Sequence, residues 1–293
     1  MKLPITIACI LLAGALAAQE SDIVAEGAVP QKAGTGYRFT EGPAVAKDGN
    51  VYFTDQPNDR IHYWDEQEGI TLWLEGTERS NGLYFNNDDK LVACADAQNR
   101  IILFENRDKR KVLIEAFEGK HLNGPNDLWI APNGNIYFTD AYYHRPYWPE
   151  GQHEGQEVRG VYLLTPEGEV KRVIDDYKQP NGIIGTPDGK TLYIADIEDR
   201  KIWRYEILND GSLTGKTFFA PHGSDGMTID NRGNIYLTMD KVWVYSPEGE
   251  LIREIDFPES PSNICFAGKN HDTLFVTART SVYTLKMNAS GVQ

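Results

Sequence analysis

Apolar residues along this chain fall in short runs rich in β-branched and aromatic side chains, each bounded by turn-forming residues. Six of these runs share one phrase: Asn50-Val-Tyr-Phe-Thr-Asp55, Lys90-Leu-Val-Ala-Cys-Ala-Asp96, Asn135-Ile-Tyr-Phe-Thr-Asp140, Thr191-Leu-Tyr-Ile-Ala-Asp196, Asn234-Ile-Tyr-Leu-Thr238 and Thr273-Leu-Phe-Val-Thr277. Four follow turn signals, such as Pro132-Asn133-Gly134 and Pro187-Asp188-Gly189. Glycine supplies a positive φ and Asn or Asp bonds to its own backbone, so a turn followed by such a run predicts a strand. The first apolar residues of the phrases lie at 51, 91, 136, 192, 235 and 274, with no helix-length amphipathic segment between them. Repeats of about 40 residues without helices predict the four-stranded blades of a β-propeller. Six repeats predict six blades.

A third apolar run follows each phrase, at 60–64, 100–104, 160–164, 201–205, 241–245 and 281–285. A fourth follows in five repeats, at 71–74, 111–114, 170–174, 217–220 and 251–255. The sixth repeat has no fourth run, and an N-terminal strand around 36–39 is expected to complete that blade. Such an exchange closes the ring of sheets and removes an open edge. The fold expected is therefore all-β: a six-bladed β-propeller with four antiparallel strands per blade, one domain over 19–293. Residues 1–18 stand apart. Lys2, an apolar stretch over 3–16 and the small pair Ala17-Ala18 have the form of a secretory signal peptide. An exported protein, periplasmic or extracellular, is expected.

Composition narrows the function more than the fold. With 41% hydrophobic and 25% charged residues, the 293-residue chain has the make-up of a folded globular protein. Its formal net charge of −14 argues against nucleic acid or an anionic membrane as partner and is compatible with binding a cation. No long apolar run follows the leader, so no membrane insertion is expected. Beyond the leader, Cys94 and Cys265 lie in apolar runs and are expected as buried free thiols. No cysteine or histidine spacing suggests zinc.

Ten residues before each phrase start, allowing small length changes, stands a polar side chain: Glu41, Asn81, Asn126, Asn181, Asp225 and Ser262. In a propeller this column begins the innermost strand of every blade, so the six side chains converge on one end of the central channel. Core packing does not select two acids, three amides and a hydroxyl. Carboxylate and carbonyl-type oxygens without histidine or cysteine suit a hard divalent cation, and a flexible ring suits calcium better than octahedral magnesium. Manganese and zinc remain possible. Such a ring serves a catalytic cation, a cation that ties the blades together, or a water-filled polar channel.

Phe39-Thr-Glu-Gly-Pro43, Leu122-Asn-Gly-Pro-Asn-Asp-Leu128, Pro180-Asn-Gly182 and Ser224-Asp-Gly-Met227 occur in that order, one at each ring position of four repeats. From about residue 38 to the end of the sixth repeat, the chain resembles the senescence marker protein, gluconolactonase and luciferin-regenerating enzyme family of six-bladed propellers, the bacterial gluconolactonases above all. That resemblance implies a divalent cation, usually calcium, held by Glu41, Asn126, Asn181 and Asp225. It implies hydrolysis of a sugar lactone such as gluconolactone, with Asp225 as both ligand and general base; direct activation of water by the cation is the alternative. Asn81, Asn123, Asn126, Arg145 and Ser262 are the candidate substrate-binding residues, and a small-molecule sugar lactone is the expected partner. Two other functions stay open: an organophosphate hydrolase like diisopropyl fluorophosphatase, and a non-catalytic carbohydrate- or protein-binding propeller with a structural metal.

Other arrangements are weaker. There is no Gly-x-Ser-x-Gly elbow and no local Ser/His/Asp grouping. His222, three residues before Asp225, is expected as a solvated loop residue. The third repeat is lengthened by an insertion at 142–158 carrying Tyr142, Tyr143, His144, Arg145, Tyr147 and Trp148. This insertion either leans over the channel mouth, where rings stack on sugars and Arg145 binds substrate oxygens, or packs as a surface loop.

Overall fold

The computed structural model describes residues 22–148 and 154–292, so the leader at 1–18 lies outside the described residues. Within them the chain forms six four-stranded antiparallel sheets and one extra two-stranded hairpin, Ala116–Phe117 with Lys120–His121. Blades 1 to 5 follow the sequence outward. Their innermost strands are Thr40–Val45, Ser80–Phe85, Pro125–Ile130, Pro180–Gly185 and Met227–Ile229. The repeated phrases form the second strands, among them Val51–Asp55, Leu91–Ala95 and Ile136–Asp140.

Blade 6 joins the two ends of the described chain. Asn263–Ala267, Thr273–Ala278 and Ser281–Lys286 are its first three strands, and Gln31–Thr35 adds antiparallel to the last, with Gln31 opposite Thr284 and Thr35 opposite Ser281. The closing strand thus lies a few residues earlier than the 36–39 segment expected for it. Asp55 explains the shift. Its Oδ1 accepts from the backbone N–H of Arg38 and Phe39, which bends 36–39 across to blade 1 instead of along blade 6.

Burial follows the layering. Innermost and second strands are buried along almost their whole length, because each blade packs between two neighbours, while the outermost strands carry the exposed positions. Aromatic and branched side chains fill the gaps between blades. Phe53 and Trp64 of blade 1 pack on Phe275 and Val282 of blade 6; Tyr236 and Val244 of blade 5 pack on Phe266 and Leu274 of the same blade. Removing one such ring costs about 3–5 kcal/mol, since the surrounding strands cannot collapse onto the gap. Cys94 and Cys265 are free and buried, in blades 2 and 6 with blade 1 between them.

Candidate active site

The ring begins as an irregularity in strand pairing. In blade 2, Ser80 pairs with Ala95 but the next paired residue is Leu83, opposite Ala93. The register slips by one residue at the same place in blades 1, 3 and 4. Such a bulge sets two residues against one and re-aims a side chain. The slip falls at or beside Glu41, Asn81, Asn126 and Asn181. In blade 5, Asp225 donates its N–H to Thr238 O just before the innermost strand begins.

Threonines and aspartates at the end of the repeated phrase tie down the start of the innermost strands, at the slip in blade 3 and at the regular pairing of blades 5 and 6 alike. Buried backbone N–H groups need a hydrogen-bond partner. Thr139 Oγ1 accepts from Asp127 N at 3.1 Å, Thr238 Oγ1 from Gly226 N at 2.8 Å and Thr277 Oγ1 from Asn263 N at 3.0 Å. The following aspartate grips the incoming loop. Asp55 takes the N–H groups of Arg38 and Phe39, Asp140 those of Asn123 and Gly124, and Asp196 those of Lys178 and Gln179. Each grip lies two or three residues before a ring residue. The same short phrase therefore builds the strand and positions the ring.

Glu41, Asn81, Asn126 and Asn181 are all buried, and Asp225 is partly so. Asn181 Nδ2 donates to Asp225 Oδ1 and to the Tyr143 hydroxyl, both at 2.9 Å. Glu41 Oε2 accepts from Gly42 N at 3.1 Å. Burial pushes the Glu41 carboxyl well above the usual carboxylate range, and the negative charges of Asp225 and Asp127 push it further. Burial also raises Asp225, against the opposing pull of the Asn181 amide and of Arg279 and Arg145 nearby. Two buried amide oxygens of the ring, Asn81 Oδ1 and Asn181 Oδ1, have no hydrogen-bond donor. Buried polar atoms without partners are uncommon and costly. Carboxyls that resist ionisation beside carbonyl oxygens lacking a donor fit a hard cation with oxygen ligands, which answers both deficits at once. Among the described residues no three His, Cys, Asp or Glu side chains are placed to hold a metal ion by themselves, so a cation here would draw on amide oxygens as well.

Two candidate substrate contacts do other work. Ser262 Oγ donates to Thr40 O at 2.7 Å and lies 3.1 Å from Thr277 Oγ1, so its hydroxyl ties blade 6 to blade 1. The neighbouring Asn263 projects to the centre instead, with Nδ2 at 3.4 Å from both Glu41 Oε2 and Asp127 Oδ2. Asn123 is fully buried; its Nδ2 donates to Val158 O and its Oδ1 accepts from Gln156 N. That amide, buried, fastens Gln156 and Val158 at the end of the insertion. His222 is not a free loop residue either. Its ring stacks on Trp243 at 4.2 Å and its Nδ1 lies 2.5 Å from the Tyr245 hydroxyl.

Residues 142–148 of the insertion reach from blade 3 to blade 2. Arg145 Nε donates to Asp96 Oδ2 at 2.9 Å, the Tyr147 hydroxyl bonds to the same oxygen, and Trp148 Nε1 donates to Asp96 O at 2.8 Å. This brings Tyr143 over the ring, against Asn181. Burial and the charge of Asp225 push the Tyr143 phenol up to about 12, so near neutrality it keeps its proton. Tyr143 and Asn263 are the site residues that sequence spacing does not identify. Tyr143 sits in an insertion without repeat partners, and Asn263 lies one step beyond the counted position.

Comparison with known proteins agrees with this geometry. Residues 39–280 match the model of the SMP-30/Gluconolactonase/LRE-like region. A gluconolactonase of Zymomonas mobilis is 27% identical, over 87% of this chain and 80% of its own. Pentonolactonase XacC of Haloferax volcanii is 25% identical, over 83% and 82%. Among solved structures, the gluconolactonase XC5397 of Xanthomonas campestris superposes with a TM-score of 0.84 at 26% identity, covering 90% of this chain and 91% of its own. The match runs through every ring position from Glu41 to Ser262, and on it the chain belongs to the SMP-30/gluconolactonase/LRE-like family.

Proposed function

We propose that this protein hydrolyses a sugar lactone to its aldonic acid with the help of a divalent cation, calcium by preference, bound by Glu41, Asn126, Asn181 and Asp225. Its membership of the family and the lactone-opening relatives in it support the enzyme class. The observation that carries the cation is Asn181 Oδ1, an amide oxygen without a hydrogen-bond partner among the described residues, on the ring that also holds the buried Glu41 carboxyl and the half-buried Asp225. When bound, such a cation supplies a Lewis acid for a carbonyl and stabilises the oxyanion that develops there.

The chain's own groups do the rest. Asp225 Oδ1 is occupied by Asn181 Nδ2, while Oδ2 accepts no hydrogen bond from the described residues and is the atom to take a proton from the attacking water. The water oxygen bonds to the acyl carbon, and the ring C–O bond breaks. The displaced ring oxygen takes that proton from Asp225 and becomes a hydroxyl, which restores the carboxylate. Asn181 cannot take a proton itself and orients Asp225. The Tyr143 phenol keeps its proton and is available to donate to a substrate oxygen at the mouth. Arg145, fixed by Asp96, and Arg279, whose guanidinium lies 5.4 Å over the Phe39 ring, add positive charge on the side of Asp225.

The test is pH-stat hydrolysis of glucono-1,5-lactone and of a pentonolactone by EDTA-stripped protein, with spontaneous opening subtracted. Rate should vanish with EDTA and return with Ca²⁺, more than with Mg²⁺, Mn²⁺ or Zn²⁺. Asp225→Asn should lower kcat by about 10²–10⁴, the range for a general base, while the protein stays folded. Loss of thermal stability with full turnover retained would make the metal structural. No rate on either lactone would move the substrate to another class, organophosphates included.

A further inference from the structure

In four blades the residue after the ring position is glycine: Gly42, Gly82, Gly182 and Gly226. Two of these glycines make room for something. A Cβ on Gly82 would lie 2.7 Å from Asp127 Oδ1, and one on Gly226 would lie 2.0 Å from Asn263 Cγ. Asp127 and Asn263 are the residues at this same position in blades 3 and 6. They reach inward from opposite sides of the channel and meet, Asn263 Nδ2 lying 3.4 Å from Asp127 Oδ2 and 3.4 Å from Glu41 Oε2.

Both side chains are held by the backbone that follows them. Asn263 Oδ1 accepts from Ile264 N at 2.8 Å, and Asp127 Oδ1 accepts from Leu128 N at 2.9 Å. The first bond leaves the amide one orientation, with its NH₂ toward the two carboxylates. Below the pair runs a cavity of about 340 Å³ with apolar walls that include Leu83, Leu128, Ile183, Met227 and Ile264. Asp127 and Asn263 therefore lie between the polar ring and this apolar channel.

We propose that Asn263, its amide turned by Ile264 N and its NH₂ shared with Asp127, is a positioning residue for the cation site. Gly42 N and Asn263 Nδ2 together occupy Glu41 Oε2, which turns the other oxygen, Oε1, to the cation. The inference rests on the cation reading above. Partners one step out from metal ligands typically alter affinity by 10–100-fold, and that is the expected size here.

The experiment is calorimetric titration of Ca²⁺ into the EDTA-stripped protein, alongside Asn263→Ala and the near-isosteric Asn263→Leu, with melting of the metal-free forms as a second readout. Both variants are expected to bind Ca²⁺ about tenfold or more weakly while melting close to the parent. Asp127→Asn should fall between them and the parent. A folded variant that binds Ca²⁺ as tightly as the parent overturns the proposal. So does loss of fold in both Asn263 variants, which would assign the pair to structure alone. Failure of the parent to bind any divalent cation would instead sink the reading of the ring itself.

Discussion

Asp140 and Asp96 occupy the same place in the repeated phrase, at the mouth end of the second strand in blades 3 and 2. Asp140 spends its carboxylate on two backbone N–H groups of the incoming loop, at 2.8 and 2.9 Å. Among the described residues Asp96 makes no such bonds; its carboxylate holds Gln56 Nε2, Arg145 Nε and the Tyr147 hydroxyl. The difference has a local cause. In blade 2 the loop is already held by Asp59, whose Oδ1 takes Arg79 N at 2.6 Å and the Thr77 hydroxyl at 3.2 Å. Once another residue does the structural work, the repeated aspartate is released to anchor the insertion that carries Tyr143. A repeated residue is thus free to anchor other structure at the copy whose duty has been taken over.

The largest expected effect comes from breaking the structural member of the pair. Asp140→Ala leaves the buried N–H groups of Asn123 and Gly124 unpaired, each worth about 1–3 kcal/mol. Thermal melting should fall by roughly 5–15 °C at that cost. Asp96→Ala should separate the two roles. It frees the insertion and leaves Arg145 without its anion, so KM for the lactone should rise about tenfold, the cost of one charge-assisted contact. Its melting temperature should fall less than that of Asp140→Ala. Equal stability losses with an unchanged KM would show that Asp96 is a structural residue like its counterpart. Tyr143→Phe is the finer probe, removing only the hydroxyl that accepts from Asn181 Nδ2. A drop in kcat/KM of about 3–10-fold with unchanged melting is expected for one hydrogen bond of that kind.

The smallest effect is in pH dependence. Burial raises Asp127 to about 7 and Asp225 to about 6 in the metal-free protein. Carboxyls raised above their unfolded values bind more protons when folded, so they stabilise the fold at low pH, and that contribution is lost as pH rises through the folded values. Between pH 5.5 and pH 7.5 the metal-free protein should therefore lose a few degrees of melting temperature, roughly as far as these groups contribute. His62, lowered by burial, has the opposite sign. Ca²⁺ should restore more at pH 7.5 than at pH 5.5, and differential scanning calorimetry at both values checks this.

Much of the architecture is legible along the chain because each blade repeats it. The phrase ending at Asp55, Asp96, Asp140 and Asp196 marks the second strands, and counting back reaches Glu41, Asn81, Asn126, Asn181 and Asp225. These are local features: β-branched runs, turn residues and fixed offsets within one blade. They recur because every blade must pack between two neighbours in the same way.

What only the tertiary structure decides is which copies depart from the repeat. Ser262 and Asn263 are adjacent, and nothing local says which of them turns inward; contact with Thr40 draws the serine hydroxyl away. Asn123 lies within a family-like phrase, yet it is claimed by Gln156 and Val158, more than thirty residues away. Tyr143 reaches the ring only because Asp96, in another blade, holds the insertion. Strand and blade formation depend on neighbours in sequence, so a single chain reveals them. The polar centre is made of side chains from six different blades, and contacts such as Asn181 to Asp225 and Asn263 to Glu41 form only once the ring has closed.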